Sequence, residues 1–405
     1  MVQLPTDFTE QTRLLMGQER FERYLKSFEE EPPVSIRLNP KKSCGLEVAC
    51  GELVPWCRNG YYLGQRPVFT FDPLFHAGSY YVQEAASMFL DEVLRQLLPS
   101  ASSLHAALDL CAAPGGKSTL LRSALPADCM LYSNEPVRQR ASILLENVTK
   151  WGYANHVVTN CYPRDYRKSK MMFDLILCDV PCSGEGMFRK DPATIREWSR
   201  QQVAKCAALQ REIVSDAWAC LQPGGIMIYS TCTFNTQENE ENIRWMLSEY
   251  DAEVMTIATR PEWNITGSLL EGFSEPVYRF IPGISRGEGL FVCIVKKNEV
   301  TAHCQRDYGS LPTRLRLTAD EVTARQNATF PQAELSYQEA LKFLRGEALV
   351  LPADTPTGLV ETTFAGRALG LVKNIGSRAN NLYPKPWRIK TTHIPTDYEA
   401  ILRHT

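Results

Sequence analysis

The sequence predicts an open α/β protein, with a mostly parallel sheet at its centre and a smaller unit on either side. Three observations carry that prediction. Short apolar runs alternate with helical periodicity between about residues 106 and 250, the pattern of strand–helix repeats that build a parallel sheet. The 405 residues exceed one ordinary domain, so two or three units are expected. The composition, 44% hydrophobic and 22% charged, is that of a globular chain.

The bulk numbers exclude several classes. A formal charge of −2 does not mark a nucleic-acid binder, so any such role must come from local patches. No apolar run reaches the ~18 residues of a membrane span. Met1 to Glu22 is polar and lacks a signal-peptide core, so a cytoplasmic location is expected. The thirteen cysteines include no Cys-x-x-Cys pair and the six histidines do not cluster, so no metal site is expected. Most of these cysteines read as reduced, buried, small apolar residues.

Residues 1–98 read as a small α+β unit. Phe8, Leu14, Leu15, Phe21, Tyr24, Leu25 and Phe28 form one helical face up to Pro32-Pro33. Val34 to Pro40 alternates like a strand, and Val54 to Leu63 suggests further short strands. The basic and aromatic residues here, among them Arg37, Lys41, Lys42, Trp56, Tyr61 and Tyr62, suit an exposed RNA-contacting surface, while the pattern alone favours a small structural subdomain. A helix from Ala85 to Leu97 closes the unit.

Residues 99–297 form the α/β core. Its predicted strands are Ala106 to Leu110, Met130 to Ser133, Val157 to Asn160, Phe173 to Cys178 and Ile226 to Tyr229. Helices are expected from Pro136 to Trp151, Val203 to Leu221 and Asn235 to Tyr250, the last with an acidic first turn. An antiparallel pair, Arg279-Phe280 with Leu290 to Val295, ends the core. Residues 298–336 read as a linker. Residues 337–405 read as a β-rich unit, with strand candidates Ala348 to Leu351, Gly358 to Glu361 and Leu369 to Val372. From Arg367 onward seven Lys/Arg face two acids, and Arg378 to Pro384 interleaves a cation, amides and an aromatic, a composition suited to phosphate and base contacts or to a solvated basic face.

Two stretches carry the chemistry. Cys111, Ala112, Ala113, Pro114, Gly115, Gly116 and Lys117 follow the first strand as a turn into a helix. Its glycines let a ligand approach the backbone, and the helix start favours a carboxylate or phosphate. Glu135 closes the second strand, where an acid is suited to a ribose diol. This order fits an adenosine-type cofactor. The Gly-x-Gly-x-x-Gly of NAD sites is missing, and S-adenosyl-L-methionine fits better. Asp179-Val180-Pro181-Cys182-Ser183-Gly184 and Tyr229-Ser230-Thr231-Cys232-Thr233 each place a cysteine just past a strand, where open sheets bind ligands.

These motifs together resemble the ordered motifs of the Sun-type RNA (cytosine-5) methyltransferases. Arg37 to Pro40 and Tyr81 to Glu84 are similar to that family's N-terminal motifs. The C-terminal segment resembles the extra RNA-binding domain of its bacterial RsmF branch, which modifies 16S ribosomal RNA. The resemblance implies a Rossmann-like class I SAM-dependent methyltransferase core. It further implies a small α+β N-terminal domain and a small β-rich, PUA-like C-terminal RNA-binding domain. It implies that Cys111 to Lys117, Glu135, Arg140 and Asp179 bind S-adenosyl-L-methionine. Cys232 would be the nucleophile, Cys182 the helper in product release, and Asp179 the acid facing the base. The expected partner is RNA, 16S rRNA ahead of tRNA, and the expected state is a monomer. A NAD-dependent oxidoreductase and a non-catalytic RNA-binding assembly factor are the rival readings. The family's aspartate after the third strand has no counterpart in register, since Asp165 is shifted.

Overall fold

A computed structural model describes residues 3–100, 104–298, 313–317, 329–391 and 393–405. The first predicted helix is two helices, α1 (Thr6–Met16) and α2 (Gln18–Lys26). Gly17 divides them with a φ of +77°, a conformation that suits glycine. Phe8, Phe21 and Tyr24 from these helices pack with Phe188, Trp198 and Phe234 of the core.

The N-terminal strands are β1 (Val34–Leu38), β2 (Leu46–Val48), β3 (Glu52–Leu53), β4 (Gly60–Leu63) and β5 (Tyr80–Val82). Helix α3 (Pro73–His76) precedes β5 and α4 (Phe89–Leu97) follows it. β1 lies between β4 and β5, antiparallel to both. The surface expected here is largely interior: Arg37 is 2% exposed, Trp56 3% and Tyr62 2%. Trp56 donates to the Ala85 carbonyl, and Tyr62 to that of Arg286. Arg37 stacks on Trp151, 4.5 Å from the ring centroid. These side chains weld the unit to the core, and that burial removes them from any RNA surface.

In the core, β6 (Ala106–Asp109), α5 (Gly116–Ala124), β7 (Met130–Asn134), α6 (Arg138–Trp151), β8 (His156–Thr159), α7 (Pro163–Ser169) and β9 (Phe173–Asp179) alternate as expected. Then come α8 (Ala193–Glu197), α9 (Arg200–Trp218), β10 (Leu221–Thr231), α10 (Glu240–Glu249), β11 (Ala252–Val254), β12 (Tyr278–Phe280) and β13 (Leu290–Lys297). With β14 (Arg316–Leu317), the path across the sheet is β11-β13-β10-β9-β6-β7-β8-β14. The five strands β10, β9, β6, β7 and β8 run parallel, and β13 is antiparallel to β10. β12 pairs antiparallel with β13, as the sequence pattern predicts. From β6 the chain winds outward through β7 and β8, then returns to β9 and β10. The winding therefore reverses between β6 and β9, and their C-terminal ends open a crevice there.

The last unit contains β15 (Gln332–Glu334), α11 (Tyr337–Arg345), β16 (Gly358–Phe364), β17 (Arg367–Asn374), β18 (Ala379–Asn381) and β19 (Leu402–His404). β15 falls in the stretch read as linker, yet it pairs with β16. β14, in the same stretch, pairs with β8 of the core. β19 returns to β2, so Ile36, Leu38 and Leu74 share one core with Leu341, Phe343 and Leu402. Within the basic run, Asn381 donates to the carbonyls of Phe343 and Glu347, and Tyr383 is 3% exposed. Those two residues hold the fold, whereas Lys373, Arg378, Lys385 and Lys390 face solvent. Among the described residues, no helix is long and apolar enough to cross a membrane.

Candidate active site

The loops leaving β6, β9 and β10 lie side by side and wall a cavity of about 300 Å³. Cys111, Ala112, Ala113, Pro114, Gly116 and Lys117 line it from the first loop. Asp179 and Cys232 come from the second and third. The opposite wall is the stretch from Tyr81 to Glu84 together with Glu288 and Gly289. Gly115 starts α5 with a φ of +118°. A Cβ on Gly116 would stand 3.4 Å from Tyr81 and 3.5 Å from Gln83, so backbone and N-terminal unit meet closely there.

Lys117 joins two of the loops. Its Nζ lies 2.9 Å from Asp179 Oδ2, and Ser230 Oγ donates to Asp179 Oδ1 at 2.6 Å. Burial pulls the Lys117 ammonium down, but Asp179 outweighs it with help from Cys232, and the lysine is held above its ordinary value. Asp109, the last residue of β6, is fully buried. Ser118 donates to its Oδ2 at 2.5 Å, while Oδ1 has no hydrogen-bond partner among the described residues. Burial pushes the Asp109 carboxyl up to about 7, and the charges of Asp179 and Glu135 add to that effect.

The two motif cysteines meet. Cys182 Sγ and Cys232 Sγ are 3.2 Å apart, and the Cys232 amide points at Cys182 Sγ from 3.4 Å. The contact with Cys232, and then burial, raise the Cys182 thiol well above its ordinary value. It therefore keeps its proton at neutral pH. Cys178, four residues earlier on β9, is wholly inside the sheet.

A set of buried acids fastens the cysteine loops together. Glu185 accepts from Trp198 Nε1, the Phe234 and Asn235 amides and Asn235 Nδ2, at 2.7–3.1 Å. Glu238 accepts from the Ser183 amide, Gln210 Nε2 and Asn235 Nδ2. The Gly186 amide donates to the Cys232 carbonyl at 2.7 Å. A Cβ on Gly186 would sit 2.6 Å from that same oxygen and from Gly289 Cα, so only glycine fits. The Glu-Gly of Pro-Cys-Ser-Gly-Glu-Gly is thus the clamp on the Cys232 loop, a role its sequence does not declare.

Gly115, Cys182, Glu135 and Arg140 do not line the cavity. Glu135 is 1% exposed, with its oxygens on the Val137 amide at 2.9 Å and on Arg140 at 3.3 Å. Arg140 also donates to the Ala113 carbonyl at 3.1 Å, tying the glycine turn to Glu135. Asp165 accepts from the Tyr162 amide at the start of α7. Asn160 is held by the carbonyls of Glu135 and Pro136. Sequence reading assigned no role to Asp109, Gln83 or Glu185, although each stands in or beside a motif it singled out, and none to Glu288, which no motif marks.

Comparison with known proteins identifies the segments of the chain. Residues 97–296 match the family model described as 16S rRNA methyltransferase RsmB/F. Residues 4–85 match the N-terminal domain of 16S rRNA methyltransferase RsmF, and residues 330–389 the methyltransferase RsmF PUA domain. The chain is 34% identical over 261 residues to ribosomal RNA small subunit methyltransferase F of Pectobacterium atrosepticum, covering 61% of this chain and 51% of that protein. The protein of the same name in Cronobacter sakazakii is 34% identical over 252 residues, covering 60% and 51%. The chain spans about half the length of the curated relatives it matches. Among solved structures, a methyltransferase homolog protein from Pyrococcus horikoshii superposes with a TM-score of 0.61 at 26% identity, covering 73% of this chain and 96% of that one. NSun6 from the same organism shares the fold at a TM-score of 0.59 and 18% identity, over 73% of this chain and 99% of that one. With its core, N-terminal and PUA segments matched in that order, the chain belongs to the RsmB/F methyltransferase family.

Proposed function

We propose that this protein methylates carbon 5 of a cytosine in RNA, most specifically 16S rRNA, with S-adenosyl-L-methionine as methyl donor and through a covalent adduct of Cys232 at ring carbon 6. The observation that carries the reading is that Cys232 shares one cavity with the turn from Cys111 to Lys117. The cleft suits the donor: the turn carries no side chain at Gly116, and Asp109 Oδ1 is a buried acceptor without a partner among the described residues. Residues 111–117 would hold the donor with Asp179, while Glu135 and Arg140 would brace the ribose side. When bound, S-adenosyl-L-methionine supplies an electrophilic methyl group on sulfur.

Carbon 5 of cytosine is a poor nucleophile. Addition of the Cys232 thiolate to carbon 6 gives the ring enamine character and turns carbon 5 into an electron-rich centre. Negative charge then develops toward N3 and O2 of the ring, and in this reading the Lys117–Asp179 pair of the same cleft supplies the polar group that receives it. Lys117 and Cys232 line the same cavity, so a thiolate forming on Cys232 has a cation within the same cleft. Once carbon 5 carries the methyl group, a base takes its proton. The carbon 5–carbon 6 double bond re-forms, and the sulfur leaves carbon 6 with the bonding pair. Cys182, protonated and 3.2 Å from Cys232, stabilises the departing thiolate by hydrogen bonding. The reading gives the chain a cytoplasmic role as a monomer.

The test is methyl transfer from labelled S-adenosyl-L-methionine to 16S rRNA, assembled small subunits and tRNA, followed by bisulfite sequencing. One protected cytosine in 16S rRNA is the expected result. Protection confined to tRNA would move the substrate, and transfer to a ring nitrogen would overturn the chemistry.

A further inference from the structure

Gln83 is the residue the sequence motifs singled out and the reaction left without a role. It stands just past β5, is 6% exposed, and lines the cleft opposite Gly116. Its Oε1 accepts from Arg37 Nε at 2.7 Å. Arginine only donates, so this contact dictates the orientation of the side-chain amide and turns Nε2 away from Arg37. Arg37 is itself immobilised by the Gly116 carbonyl at 3.2 Å and Thr119 Oγ1 at 2.6 Å. Gln83 Nε2 is buried and has no hydrogen-bond partner among the described residues. A Cβ on Gly116 would lie 3.6 Å from it, which puts this donor at the first turn of the nine-residue helix α5.

A buried amide donor without an acceptor is costly unless a ligand supplies one. A helix N-terminus beside it favours a negative charge. The same cleft holds an acceptor without a donor among the described residues, Asp109 Oδ1. One orphan donor and one orphan acceptor match the carboxylate and ammonium of an α-amino acid. We infer that Gln83, held by Arg37, donates to the carboxylate of the methyl donor's amino-acid end, so that the N-terminal domain completes the cofactor site. The inference rests on the proposed use of S-adenosyl-L-methionine.

The experiment is calorimetry on the full chain with two ligands. S-adenosylhomocysteine carries the amino-acid end, and 5′-methylthioadenosine keeps the nucleoside and sulfur but lacks it. Gln83→Leu is expected to weaken S-adenosylhomocysteine about 10- to 100-fold, the range of one hydrogen bond to a charged group, and to leave 5′-methylthioadenosine unchanged. Gln83→Glu keeps the contact to Arg37 and sets a carboxylate against the ligand's own, so it should weaken S-adenosylhomocysteine at least as much. Unchanged S-adenosylhomocysteine affinity in both variants, or a rise only in the KM for RNA, overturns the assignment while leaving the methyl donor standing. Failure of the unaltered protein to bind either ligand overturns the methyl donor and the assignment together.

Discussion

Cys178 and Cys182 sit four residues apart, on β9 and on the loop that leaves it, and they differ in what surrounds them. Cys178 is fully buried within the sheet, and burial pushes its thiol far up, aided by Asp109 and Asp179. It behaves as a small apolar residue. Cys182 has left the sheet, touches Cys232 and belongs to a network of loops. The strand-end acids also differ: Asp109 ends β6 fully buried with a carboxyl raised to about 7, whereas Asp179 ends β9 paired with Lys117, and both line the cleft. For the cysteines, a step of four residues past a strand end separates a packing role from a chemical one.

The sharpest way to break this comparison is to truncate the thiols. Cys232→Ala should lower methyl transfer by at least about 10⁴-fold, the order lost with a covalent nucleophile. Cys182→Ala should methylate once and then accumulate a protein–RNA adduct visible by denaturing gel. Cys178→Ala should leave turnover within about twofold and cost only about 1–2 kcal/mol of stability. Equal losses of activity from Cys178→Ala and Cys182→Ala would erase the distinction.

Next in size is the Asp109 carboxyl. Its folded value, about 7, lies above the ordinary Asp range near 3.8. Between those two pH values the folded state holds a proton that the unfolded state has lost. The stability it contributes is complete below about pH 4 and falls as pH rises to 7. Asp109→Asn removes that fall, so the variant should gain on the parent by up to about 4 kcal/mol between pH 4 and 7, with no further gain above. Urea denaturation at pH 5, 6, 7 and 8 reads it, and parallel pH curves would show that Asp109 titrates normally.

The smallest expected change tests the clamp. Gly186→Ala should cost about 1–3 kcal/mol, because its Cβ meets the Cys232 carbonyl and Gly289 Cα. Activity should fall further than that of Cys178→Ala at matched stability. A fully active variant would show that the spacing of the two loops is not critical.

Much of this was legible locally. The strand–helix alternation of the core, the Gly115-Gly116 turn and the closing antiparallel pair appear in the structure close to where the residues imply them. Helix α11 was missed, although Ser336 and Glu339 form the reciprocal capping pair that marks a helix start. The linker assignment failed at Gln332–Glu334 because three residues carry too little periodicity to reveal a strand. Arg37, Trp56, Tyr62 and Tyr383 read as surface because cation and aromatic content resembles an RNA-binding face. Their partners Thr119, Ala85, Arg286 and Phe343 lie far away in sequence.

What the sequence determined by itself is therefore the order of elements and the placement of both thiols and the glycine turn at strand ends. Hydrophobic periodicity and backbone freedom at glycine act over a few residues. Only the tertiary structure decided which groups face one another: Cys182 against Cys232, Lys117 against Asp179, Gln83 against the start of α5. Those contacts depend on the winding reversal between β6 and β9 and on the docking of the N-terminal unit, and neither is encoded in any single stretch.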